Sequence, residues 1–146
     1  MVRLLCLLTG YRHWGKSWTL RETILGYPKH SVKINHVSVR KKTSSNGDNL
    51  EDLLDFIKKN YLYIIIAFSC DACDSPSDVI DTLKAEGYEI YFFVLKHCYK
   101  NPAMTISSSE MSMMSMHGTV EEEPRSGIDS SVRAAAFQTF LQKHIP

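Results

Sequence analysis

The sequence predicts an α/β domain: a parallel sheet of about four strands with helices on both faces. Two observations lead there. Apolar runs of strand length alternate with helix-period segments as far as residue 95, with short connections between them. The longest apolar run, Leu62 to Phe68, is rich in β-branched residues and free of charge, as expected of a strand covered on both sides. Strands that alternate with helices over short links pair in parallel through right-handed crossovers, which puts helices on both faces of the sheet.

Taken in order, residues 2 to 9 are apolar apart from Arg3 and the terminal Thr9, and read as a buried first strand that ends at Gly10. Residues 16 to 25 read as a helix with Trp18, Leu20, Ile24 and Leu25 as its apolar set. Gly26-Tyr27-Pro28 stops it, since glycine closes a helix and proline cannot extend one. Residues 31 to 39 alternate and then shift phase near His36, which suggests a half-solvated strand toward the sheet edge. His36 itself reads as solvated. Leu50, Leu53, Leu54 and Ile57 fall at i, i+3, i+4 and i+7 and make an amphipathic helix. Ser75-Pro76-Ser77-Asp78 supplies a cap, a proline and an acid for a third helix, whose stripe is Val79, Ile80 and Leu83 and whose end is Gly87. Tyr88 to Leu95 is the fourth strand.

Residues 1–96 thus form the expected core. Beyond it, residues 97–128 show no period of 2 or 3.6 and carry Ser107-Ser108-Ser109, four methionines between Met111 and Met116, and Glu121-Glu122-Glu123. This stretch reads as a flexible lid or linker, and its soft methionines suit a docking surface for a protein partner. Residues 129–146 recover a helix, capped at Ser130 or Ser131, with Val132, Ala135, Ala136, Phe140 and Leu141 facing the core.

A length of 146 residues suits one domain with a real core. With 17 Lys+Arg against 16 Asp+Glu, the net charge of +1 argues against a general affinity for nucleic acid or acidic membranes. The basic run Arg40-Lys41-Lys42 reads as a solvated turn. The apolar start is too short for a secretory leader, and no run is long enough to span a bilayer, so a cytoplasmic location is expected. Four cysteines (Cys6, Cys70, Cys73 and Cys98) fit reduced thiols. Cys70-Asp71-Ala72-Cys73 has C-x-x-C spacing, yet a zinc site would need a second ligand pair and only His97 and Cys98 are available.

The chemistry is carried by Gly10-Tyr11-Arg12-His13-Trp14-Gly15-Lys16-Ser17, which matches G-x-x-x-x-G-K-[ST] in full. Such a loop wraps a phosphate with inward backbone N–H groups, and its glycines allow the turns and the close approach. The helix that opens near Lys16 aims its positive end at the same place. Lys16 neutralises charge between the β- and γ-phosphates, and the Ser17 hydroxyl coordinates Mg²⁺. The motif needs a strand before it and a helix after it, and both are expected here.

On this motif the chain, from residue 1 to about 95, resembles the P-loop NTPase superfamily, and within it small nucleotide-kinase-like proteins. In those proteins the strand after the second helix lies beside the P-loop strand. The resemblance implies that ATP or GTP is bound with Mg²⁺ by the residues from Gly10 to Trp18. The variable positions Tyr11, Arg12, His13 and Trp14 are far bulkier than is common in that family, so Arg12 or Trp14 could touch base, ribose or a second substrate. The family also places an acid at the end of a hydrophobic strand, where this chain has Ser69. Asp71 follows two residues later and is the candidate to assist catalysis and reach the metal, with Asp74 behind it. Mobile positive charge for phosphoryl transfer would come from Lys100, Arg125 or Arg133. Lacking an N-K-x-D pattern, the chain leans toward ATP. Two functions follow as expectations: phosphoryl transfer of nucleotide-kinase type, or a nucleotide-binding switch, adaptor or slow NTPase acting through a protein partner. No nucleic-acid or membrane partner is expected.

Overall fold

A computed structural model describes residues 3–11, 14–23, 31–59, 61–72, 74–95, 105–123 and 130–146. Strand β1 (Arg3–Gly10) leads through the glycine loop into helix α1 (Lys16–Thr23). A hairpin follows, β2 (Ser31–Ile34) and β3 (Val37–Lys42), then α2 (Leu50–Ile57), β4 (Tyr63–Ser69), α3 (Ser75–Ala85) and β5 (Tyr88–Val94). The chain closes with α4 (Ser108–His117), β6 (Thr119–Glu122) and α5 (Ser130–His144).

These strands form one six-stranded sheet in the order β2-β3-β4-β1-β5-β6. All neighbouring pairs are parallel except β2 with β3. The strand after the second helix, β4, lies directly beside β1, with Gly10 opposite Ser69 in register. The expected α/β core is therefore present, but with six strands in place of about four and one antiparallel edge.

Two local causes account for the difference. The phase shift near His36 is a turn: Asn35 and His36 have φ of 50° and 68°, the paired left-handed conformation of a tight hairpin, and they fold residues 31–42 back on themselves. The Asn35 amide then donates to the Gln142 and Ile145 carbonyls, both at 2.8 Å, tying the hairpin tip to the end of α5. Within 97–128, expected to be unstructured, α4 and β6 are regular elements. Ser107 caps α4 by accepting from the Glu110 N–H, and β6 pairs with β5. A four-residue strand and a helix with methionines on several sides show no clean period, so pattern reading passes over both.

The basic run is likewise part of a strand. Lys41 is buried, Lys42 pairs with Asp52, and the Arg40 guanidinium lies 4.7 Å from the centre of the Tyr61 ring. The cap of α3 is Asp74 in the left-handed region (φ 45°), without a side-chain cap bond, one residue earlier than expected. In α1, Leu20 is buried while Trp18 is 41% exposed. Ile24, Leu25 and Gly26-Tyr27-Pro28 lie outside the described residues.

Alternate residues of β4 feed two cores. Ile64, Ile66 and Phe68 pack with Leu53 and Ile57 of α2, Val79, Ile80 and Leu83 of α3, and Met114 of α4. Ile65 and Ala67 pack with Leu20 of α1 and with Phe137, Phe140 and Leu141 of α5. Each of the larger side chains, fully buried, contributes roughly 1.5–3 kcal/mol. Both faces are thereby covered, and the carboxyl ends of β1, β4 and β5 open together at one edge.

Candidate functional site

That edge is where ligands bind in open α/β sheets, because loops leave the strand ends there and helix N-termini face them. The Gly10–Ser17 loop sits at its centre. Two backbone bonds fix its root: the Leu95 N–H donates to the Thr9 carbonyl at 2.8 Å, and the Cys70 N–H to the Gly10 carbonyl at 3.2 Å. Inside the loop, the Trp14 N–H donates to the Tyr11 carbonyl at 3.3 Å. Gly15 has φ +83°, a left-handed conformation that glycine adopts freely. Gly10 differs. A Cβ placed there would meet Leu95 and Trp14 only at ordinary contact distances of 3.5 and 3.7 Å, so packing of the protein does not itself demand glycine.

Lys16 opens α1 and is only 6% exposed. Its ammonium donates to the Tyr11 carbonyl at 2.7 Å and to the Gly10 carbonyl at 3.4 Å, which holds a positive charge against the start of the loop. Behind it, the Thr19 N–H and hydroxyl both bond the Gly15 carbonyl, at 3.0 and 2.9 Å, closing the first turn of the helix. The Ser17 hydroxyl donates to the Thr43 carbonyl at 2.8 Å. Because its proton is committed there, the oxygen keeps lone pairs for a cation.

The remaining candidates separate. Tyr11 turns toward α4, its hydroxyl accepting from the Ser107 N–H at 3.0 Å and its ring 4.8 Å from that of Trp14. Burial, followed by the Glu110 carboxylate, raises its pKa. Trp14 is 3% exposed and belongs to the core with Phe68 and Val79, which removes it as a contact for base or ribose. Trp18 is exposed on α1. Arg12, His13, Cys73, His97, Cys98, Lys100 and Arg125 lie outside the described residues. Asp71 is exposed in the turn after β4. Ser69, in the place of the expected acid, is fully buried and its hydroxyl donates to Ser45 at 3.2 Å.

Pattern reading also missed residues. Ser45 and Asn46, in the polar stretch after β3, are buried against the end of β4. The Asn46 carbonyl accepts from the Ser69 N–H at 2.7 Å and its amide donates to the Ser69 carbonyl at 3.0 Å, so one side chain clamps the end of β4. Nothing in the periodicity of a polar loop marks such a residue. Arg133, expected as a mobile cation, is 2% exposed and fixed. It makes a two-pronged pair with Glu123 at 2.7 and 2.8 Å and donates to the Trp14 carbonyl at 2.9 Å.

Cys70 is buried, and its thiol donates to the Glu110 carboxylate at 3.6 Å. Burial first, then the Glu110 and Asp71 charges, push its pKa far up, against a smaller opposing effect of Lys16. A thiol held protonated is a poor nucleophile and a poor metal ligand. Among the described residues no group of three or more His, Cys, Asp or Glu could hold a metal ion, and no helix is long and apolar enough to cross a membrane.

No family model and no curated protein sequence matches the chain. Its backbone is similar to two solution NMR structures of designed proteins. One is a de novo designed PLOOP2X3_50 fold protein, with a TM-score of 0.55 and 10% identity over 98% of this chain and 93% of that one. The other is a de novo designed protein of P-loop NTPase fold, with a TM-score of 0.51 and 11% identity over 98% of this chain and 92% of that one. At such identity the likeness is one of fold: the chain has a mixed α/β, P-loop NTPase-like fold.

Proposed function

We propose that the protein binds a nucleoside triphosphate, ATP in preference to GTP, through the loop from Gly10 to Ser17 and carries out phosphoryl transfer of nucleotide-kinase type. The observation that carries this reading is the joining of a complete G-x-x-x-x-G-K-S sequence to a strand end on one side and a helix N-terminus on the other, with the Lys16 ammonium held on the Tyr11 carbonyl. Backbone N–H groups and Lys16 would hold the β- and γ-phosphates. The donor set suits Mg²⁺, which takes few protein ligands and shares phosphate oxygens. Ser17 would hold it, with Asp71 reaching it through water, and the ion would draw charge from the transferring phosphoryl group.

Calorimetric titration with Mg·ATP, Mg·GTP and nucleoside monophosphates tests the reading. Triphosphate binding that is lost in Lys16→Ala, together with a separate monophosphate site, is the expected result. Full nucleotide affinity in Lys16→Ala would overturn it.

Two observations favour a second reading, a nucleotide-binding switch or adaptor with little turnover. The place of the strand-end acid is taken by Ser69, and Arg133 is committed to Glu123. A partner would then engage the 97–128 segment, where Met116 on α4 is 80% exposed. Bound triphosphate that survives unhydrolysed, with a protein partner in pull-down, separates this reading from the kinase.

A further inference from the structure

We infer that Arg133 of α5 and Glu123 form a clamp that sets the orientation of the Trp14–Gly15 peptide, making Arg133 a positioning residue of the phosphate loop; the inference rests on the function proposed above. Glu123 follows β6 directly, and its N–H donates to the Val94 carbonyl at 2.9 Å, so its backbone is anchored to the end of β5. Its side chain, 1% exposed, accepts from two of the Arg133 nitrogens. The third guanidinium nitrogen is thereby aimed at the Trp14 carbonyl. Only a planar fork with donors on several edges makes both contacts at once.

The consequence for the loop comes from peptide geometry. In a trans peptide the C=O and the following N–H point in opposite directions. Drawing the Trp14 carbonyl toward Arg133 turns the Gly15 N–H away from α5. The Trp14 ring, buried in the opposite core, holds the same residue from the other side. One peptide plane is thus fixed from both faces of the sheet, immediately before the lysine. A buried ion pair adds little net stability over apolar residues of similar size, so the gain of this pair is in placement.

The test uses the full chain and the double variant Glu123→Met/Arg133→Met, which removes both charges together and leaves neither stranded. Arg133→Lys, which keeps a charge facing Glu123 but not the fork, is measured alongside in case the double variant does not fold. Three readouts are taken: the thermal midpoint, amide hydrogen exchange at Gly15 to Ser17, and affinity for inorganic pyrophosphate and Mg·ATP. In folded variants, exchange at Gly15 rises and both affinities fall about tenfold, the worth of one hydrogen bond from a charged donor. Unchanged exchange at Gly15 in either folded variant overturns the clamp. Increased exchange in a protein whose wild type binds neither ligand supports the clamp and instead removes the nucleotide reading.

Discussion

The hydroxyl of Ser17 donates to the main-chain carbonyl of Thr43 at 2.8 Å, joining the first turn of α1 to the loop that follows β3. Ser17→Ala removes both that tie and the oxygen proposed for Mg²⁺. Addition of Mg²⁺ is expected to strengthen ATP binding by the wild type, and most of this gain, about tenfold or more, to vanish in the variant. Affinity without Mg²⁺ should change little. Paired titrations with and without the metal check it, and a variant with full Mg²⁺ dependence would remove Ser17 from the site.

Gly10 separates fold from function. Alanine there meets its neighbours at ordinary contact distance, so Gly10→Ala should keep the wild-type unfolding midpoint or gain up to about 1 kcal/mol from a stiffer unfolded chain. On the proposed function, phosphate-bearing ligands should nonetheless bind at least tenfold more weakly, because a methyl facing Leu95 and Trp14 stiffens the root of a loop that must adjust to wrap them. Equal affinity for pyrophosphate would show that glycine at this position serves no phosphate.

Gly118 is the opposite case. Its backbone is extended, yet a Cβ would lie 2.3 Å from the Ile90 carbonyl oxygen on β5, which cannot yield as a flexible side chain would. Gly118→Ala should cost about 1–3 kcal/mol in urea unfolding. Since β6 leads to Glu123, loosened exchange at Gly15 should accompany that loss.

Cys70 supplies a pH signature. Its folded-state pKa is raised, chiefly by burial, so folding favours the neutral thiol. The contribution is complete below the unfolded thiol pKa of about 8.5 and fades as pH rises toward the folded value, at up to about 1.4 kcal/mol per pH unit. Stability measured from pH 8 to 10.5 should therefore fall less steeply in Cys70→Ala than in the wild type. Iodoacetamide should leave Cys70 unmodified in the folded protein at pH 8. Prompt alkylation of Cys70 in folded protein would contradict this.

The alternation of β1, α1, α2, β4, α3 and β5 was legible because each element buries a face, and burial imposes a period on the residues that carry it. The hairpin was half legible, as a phase shift at His36 without a turn signal, since Asn-His lacks the glycine that usually announces one. In α5, Ala136, Phe140 and Leu141 of the expected stripe do face the core, while Val132 and Ala135 are exposed and Ala134 and Phe137 are buried in their place. Residues 132–137 are apolar on all sides apart from Arg133, so periodicity cannot select a face. Pairing of Arg133 with Glu123 decides it, placing Ala134, Phe137, Phe140 and Leu141 inside and leaving Val132 and Ala135 exposed.

By itself the sequence determined the alternating core and the loop with its lysine and serine, because these depend on residues close together in the chain. Only the tertiary structure decided that Trp14 is core, that Asn46 clamps Ser69, and that Arg133 is fixed 119 positions from the carbonyl it holds. Burial selects those partners through the packing of whole layers, and contacts made at such separation leave no local pattern to read.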